Sequence, residues 1–125
     1  MNSYRDLLVW QRAMDLVDLV YRVSGALPRE HAYGLGKQLQ KSAVSIPSNI
    51  AEGHARDSTR EYLRFISIAL GSVAELETQL LICQRQGFLS DTGVTSAIQL
   101  AAEIGKMLRV LQQRLRTKVA PPSAR

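Results

Sequence analysis

Between Tyr62 and Cys83 the chain carries a stripe that leaves little freedom of fold. Tyr62, Ile66, Ala69, Val73, Leu76, Leu80 and Cys83 recur at alternating intervals of four and three. That spacing follows the α-helical turn and excludes a strand, whose faces alternate at every second residue. Ser58-Thr59-Arg60-Glu61 stands before it as an S-x-x-E capping box, in which Ser58 and Glu61 satisfy each other's orphan amides. Gly87 ends the segment. Beside the stripe lie Leu63, Phe65, Ile68, Leu70, Leu81 and Ile82, more apolar surface than one side of a bundle consumes. This helix is therefore expected to pack within its own subunit and against a neighbouring copy, with Leu63, Phe65 and Leu70 at the interface.

Three further segments share the helical period. In the first, Leu7, Trp10, Met14, Val17 and Tyr21 form the stripe, with Ala13, Val20 and Leu27 alongside. Asp6 is its expected N-cap and Pro28 its end. In the second, Leu35, Leu39, Ala43, Ile46 and Ile50 repeat, and Gly53 suits the position after the helix. In the fourth, Ala97, Ala101, Ile104, Leu108, Leu111 and Leu115 share one side behind a Ser90 or Asp91 cap. No segment reads as a strand, and eight Gly and four Pro in 125 residues are too few for an all-β chain. The expected fold is all-α, an antiparallel up-and-down four-helix bundle over residues 1–118, with 119–125 as a flexible tail. A chain of this length buries roughly two-thirds of its unfolded surface, enough for a core without metal or disulfide staples.

Cys83 is the single cysteine, so no internal disulfide forms, and a reducing cytoplasm is expected. The apolar run around residues 65–76 stops at Glu75, short of the ~20 residues of a membrane span.

The stretch "SIPSNIAEGHARDSTREY", residues 45–62, places Pro47 inside a helical pattern. Either the second helix kinks there, or it stops near Ser45 and restarts with Pro47 in its first turn. Ser42, Ala43, Ser45, Ser48 and Ala51 are small enough for another backbone to come close, and the Ser42 and Ser45 hydroxyls are available to groups the proline leaves unpaired. Ser45, Ser48, Asn49, Glu52 and His54 crowd together without a nucleophile elbow or any known catalytic order. The stretch reads as a joint, and no enzymatic activity is expected. His31, His54 and Cys83 lack metal-ligand spacing. Gly34-x-Gly36 follows no strand and lacks the third glycine of a dinucleotide loop, so it reads as the loop before the second helix. No metal or cofactor is expected. Glu75 is placed to pair with a cation across a helix interface.

"AVSIPSNIAEGHAR" followed by "STREYLRFISIALGSVAELETQLL", together with the opening "YRDLLVWQRAMDLV", resembles the small four-helix-bundle proteins encoded in intervening sequences of bacterial 23S ribosomal RNA genes. The likeness runs from about Tyr4 to Leu115. It implies a ring-like homopentamer and no established enzymatic activity. A related family, the accessory variability determinants of diversity-generating retroelements, is a basic barrel that associates with a reverse transcriptase and nucleic acid, so a nucleic-acid enzyme of that kind is an implied partner.

Sixteen Lys and Arg against eleven Asp and Glu give a net charge of +5, a lean towards polyanions. Arg56, Arg60 and Arg64 are four apart and line up if that region is helical. No acidic residue follows Glu103, whereas Lys106, Arg109, Arg114, Arg116, Lys118 and Arg125 do. Lys106, Arg109 and Arg116 fall opposite the apolar stripe of the fourth helix. Such a face is either a solvated surface suited to the negative helix end or a phosphate-binding surface for RNA or DNA. Aromatic residues are mostly at core or turn positions, which disfavours stacking on single strands. The leading expectation is a non-enzymatic oligomer that binds nucleic acid through these cations. The alternative is a scaffold that docks an acidic protein.

Overall fold

Helices cover Leu8–Ser24 (α1), Lys37–His54 (α2), Thr59–Arg85 (α3) and Asp91–Lys118 (α4) in the computed structural model, which describes residues 3–119, and no strand occurs among them. The expected tail lies, from residue 120 on, outside the described residues.

Local chemistry sets the helix ends. Ser58 is extended (φ −109°, ψ 138°) and its hydroxyl accepts the Glu61 N–H at 2.9 Å. Only this half of the capping box forms, because the Glu61 carboxylate turns to the Arg64 guanidinium at 3.3 Å. Gly87 ends α3 at φ 75°, where only glycine is free of strain. The Phe88 N–H then reaches the Cys83 carbonyl at 2.9 Å and the Gly87 N–H that of Gln84 at 3.0 Å, a Schellman closure. Ser90 caps α4 through the Gly93 N–H at 3.3 Å. The start of α1 differs from the sequence expectation. Asp6 closes a 3-10 turn, Tyr4–Asp6, and α1 begins only after extended Leu7.

Between α1 and α2 the expected loop is itself helical. A 3-10 turn, Arg29–His31, leads into a π turn, Ala32–Gly36, that continues into α2. Gly36 is buried, and a Cβ there would lie 3.5 Å from Leu27.

The helix neither stops nor restarts at Pro47. α2 runs unbroken with Pro47 buried mid-helix, and the joint falls at residues 55–58 instead. The small residues around the proline let α3 close in. Ser45 Oγ lies 2.7 Å from Ser72 Oγ, and Ser42 Oγ lies 2.9 Å from Gln79 Oε1 and 3.2 Å from Glu75 Oε1. These hydroxyls bond across to α3 rather than to a carbonyl freed by Pro47, and Glu75 meets Ser42 rather than a cation. Gly53 is not the residue after the helix, which continues to His54 with Ala55 as cap. Gly53 is small because α3 leaves no room: a Cβ there would stand 2.8 Å from Phe65 Cβ and 2.9 Å from Tyr62 Cδ1.

Cross-helix bonds fix the topology. Ser45 meets Ser72, Ser67 meets Gln112, Arg12 meets Glu103, and Ser24 meets Gln40. Each helix therefore runs antiparallel to its sequence neighbour, and α4 returns to α1. The core combines Val9, Ala13, Leu16 and Val20 of α1 with Leu39, Ala43, Ile46 and Ile50 of α2. α3 adds Ile66, Ala69, Val73, Leu76, Leu80 and Cys83, and α4 adds Val94, Ala97, Ala101, Ile104 and Leu108. The expected stripes of α2, α3 and α4 match. That of α1 is rotated: Met14 and Tyr21 are 40% and 50% exposed while Ala13 is fully buried. The small residue sits where the other helices converge, and the bulky ones fringe the α1–α2 edge.

α3 holds an eighteen-residue window of mean hydropathy 1.4, long and apolar enough to cross a membrane by composition. The expectation that Glu75 shortens the run below that length is thus corrected. The hydropathy reflects a helix packed on both α2 and α4.

Gly53→Ala should destabilise the protein by about 1–3 kcal/mol, read as a lower urea midpoint. An unchanged midpoint would mean that the α2–α3 approach is looser than described.

Candidate nucleic-acid interface

The α2–α3 corner divides the three arginines that the sequence spaces evenly, setting Arg60 apart from Arg56 and Arg64. Arg56 lies in the turn, outside both helices. Its guanidinium and that of Arg64 lie over the Phe65 ring, 4.9 and 4.6 Å from the centroid. Each also holds a carboxylate, Arg56 with Glu52 at 3.5 Å and Arg64 with Glu61 at 3.3 Å. Two of the three charges are thereby locally compensated. Arg60 is exposed and makes no ion pair among the described residues.

Phe65 is consequently 6% exposed and offers almost nothing to a neighbouring copy. Leu63 and Leu70 are half-buried against the core, and Leu70 lines the α3–α4 cleft. The apolar groups that α3 leaves outside are Ile68, Leu81 and Ile82, each 40–45% exposed. They lie on the outward stripe with exposed Gly71 and Ala74.

The seam between α3 and α4 collects charge of another kind. Gln112 Nε2 donates to Ser67 Oγ at 3.3 Å, which sets the register: the end of α4 lies beside the start of α3. Lys106 and Arg109 line a cleft of about 170 Å³ with Leu70, Val73, Ala74, Glu77, Ala102 and Gly105. Arg116 continues their side of α4, two turns beyond Arg109. Arg60 stands seven residues before Ser67, on the same side of α3. Arg60, Lys106, Arg109 and Arg116 thus edge one seam, all exposed and none ion-paired among the described residues. Glu77 is the one carboxylate in the cleft.

Two of the sequence's candidates fall elsewhere. Arg114 lines an apolar groove with Leu7, Leu8, Val9, Met107, Val110 and Leu111, on the α1 side of α4. Lys118, one turn on, shares that side. Glu103 is held by Arg12, whose Nε and Nη2 donate to its two oxygens at 3.1 and 3.0 Å. That fork raises the Arg12 pKa above its usual value, through the hydrogen bond and charge of Glu103. It also engages the last carboxylate before the basic half of α4. Arg125 lies outside the described residues.

Tyr62 packs edge-on against His54, with 5.8 Å between ring centroids. Its hydroxyl is buried without a protein partner among the described residues, and burial raises its pKa above 10. Burial likewise raises the Cys83 thiol. Among the described residues no group of three or more His, Cys, Asp or Glu converges.

Fold and site together define a small antiparallel helical bundle with a basic α3–α4 seam. The chain belongs to the 23S rRNA-intervening sequence protein family, whose profile matches residues 5–110. Among solved structures it is similar to a protein of unknown function from the S23 ribosomal protein family of Bacteroides thetaiotaomicron, with a TM-score of 0.79 and 22% identity. That likeness covers 84% of this chain and 98% of the other, and at this identity it speaks for the fold alone. No curated protein matches the chain.

Because the folded state keeps the Tyr62 proton beyond its ordinary pKa, this group's contribution is constant below pH 10 and is lost as pH rises through the raised value. Tyr62→Phe should flatten that alkaline loss and leave neutral-pH stability unchanged or up by about 1 kcal/mol. A clear loss at neutral pH would show that the hydroxyl has a partner.

Proposed function

We propose that this protein is a non-enzymatic, cytoplasmic nucleic-acid-binding bundle that grips phosphates along the α3–α4 seam. The observation that carries this reading is the Ser67–Gln112 register, which sets Arg60 and Arg116 at one end of a seam that Lys106 and Arg109 continue, with no ion pair among the described residues. Free cations in a row bind a polyanion by releasing its counterions, without reading sequence. Arg56 and Arg64 take the lesser part, since each is already shared between a carboxylate and the Phe65 ring. Arg114 and Lys118 lie around the helix from the seam and would reach only a ligand that wraps α4.

The binding form is a homo-oligomer, the pentamer that the resemblance implies. Its copies meet through the outward stripe of α3, where Ile68, Leu81 and Ile82 are exposed, rather than through Phe65. A closed ring repeats the seam in every subunit and multiplies the positive field. Within a nucleoprotein complex, a nucleic-acid enzyme such as a reverse transcriptase is the partner class this reading favours.

The triple variant Lys106→Glu, Arg109→Glu, Arg116→Glu should weaken binding of a labelled RNA hairpin or DNA duplex by roughly a hundredfold or more. Fluorescence anisotropy measures it, and unchanged affinity would leave the seam without this role. A wild-type protein that binds neither, yet captures a protein from nuclease-treated lysate, would favour docking of an acidic partner.

Ile68→Asp with Leu81→Asp should reduce the assembly to monomers in sedimentation at micromolar concentration while helicity is retained. A wild-type monomer would contradict the oligomer outright.

A further inference from the structure

At the opposite end of the bundle, the π turn before α2 carries an aromatic ring that the fold does not use. Tyr33 is 84% exposed, more than any other large apolar residue among those described. Its segment is nevertheless anchored on both flanks. His31 stacks on Phe88 with 4.0 Å between ring centroids, Leu35 packs on the core, and Gly36 is buried against Leu27. Tyr33 stands out from a fixed base. A π turn is rare and is frequently found at functional sites.

The surroundings indicate what the ring meets. Lys37 Nζ sits 5.9 Å from the ring centroid. A recess of about 380 Å³ is lined by Ala32, Tyr33, Lys37 and Gln40. Between residues 22 and 51 the charged side chains are Arg22, Arg29, Lys37 and Lys41 against Glu30, and none is ion-paired among the described residues. A purely apolar partner would strand the Lys37 ammonium, whereas a nucleotide satisfies both, its base on the ring and its phosphate on the ammonium.

We propose that Tyr33 is a stacking platform for an unpaired nucleobase, with Lys37 receiving a flanking phosphate. This rests on the nucleic-acid reading above and adds a preference: the seam holds any phosphate backbone, while the Tyr33 end takes single-stranded segments. Base–aromatic stacking tolerates every base, because each has a π-face. A paired base is not free to stack on a side chain.

The test compares wild type, Tyr33→Ala and Tyr33→Phe by anisotropy, against a labelled oligo(dT) strand of about twelve nucleotides and a DNA duplex at the same salt. At 84% exposure, Tyr33 is replaceable without disturbing the core, and circular dichroism confirms the fold. Tyr33→Ala should weaken single-strand binding by roughly five- to 150-fold and leave duplex binding unchanged, while Tyr33→Phe retains both. Equal single-strand affinity of Tyr33→Ala and wild type would overturn the platform, and so would equal losses on strand and duplex. Duplex binding that depends on the seam alongside an inert Tyr33 would defeat only this inference. Absence of all binding by wild type would defeat the nucleic-acid reading as well.

Discussion

Everything in this bundle hangs on how closely α2 and α3 approach. Gly53 leaves no space for a Cβ beneath Tyr62 and Phe65, and Ser45 and Ser72 touch hydroxyl to hydroxyl at 2.7 Å. Ala43 and Ala69 are fully buried in the same core. Small side chains on facing helices bring backbones together, and each lost methylene of separation increases the contact available to the larger residues around them. The unbroken course of α2 through Pro47 belongs to the same economy of space, since the residues flanking the proline are those that meet α3. From that seat α3 presents its other side to α4.

Charge then sorts itself around the packing. Some carboxylates combine with an arginine three or four residues on, as Glu52 does with Arg56 and Glu61 with Arg64. Where the chain brings a carboxylate and an arginine together from different helices, the result is the Arg12–Glu103 fork. Exposed pairs of this kind add little to stability, because solvent screens them. Their larger effect is on what is left over. Beyond Glu103, α4 has no acidic residue within reach of its own cations, and its register against α3 sets those cations beside Arg60. The basic seam follows from that acid-free stretch of α4, with Glu77 of α3 the one carboxylate in its cleft.

Much of this was legible in the sequence. The four-three intervals of α3 and α4 carry their buried faces almost residue for residue, Gly87 read correctly as the stop, and Ser90 was one of the two caps the sequence offered for α4. α1 misled because periodicity alone favours large residues: Trp10, Met14 and Tyr21 outweigh Ala13, although the crowded centre of a bundle needs the small one. Gly53 read as a helix end, since its reason for being small lies across the interface in Tyr62 and Phe65. The same limit applied to charge. Equal spacing joined Arg56, Arg60 and Arg64, but the turn at 55–58 takes Arg56 out of the helix and the Phe65 ring engages Arg56 and Arg64 without Arg60. Arg60 and Arg116 are 56 positions apart in sequence, and only the Ser67–Gln112 register makes them neighbours. Tyr33 did not stand out among aromatics read as mostly core or turn residues, because no sequence rule distinguishes a ring tucked into a turn from one held out of it.

Whether the seam engages phosphates is tested most directly by the salt dependence of wild-type binding to a DNA duplex. Four unpartnered cations, each releasing about 0.9 counterion, predict a fall in log affinity of at least about three per log unit of salt for each engaged copy. A slope near zero, with binding intact, would mean that contact is made elsewhere on the molecule and that the free cations of α3 and α4 serve only to keep it in solution.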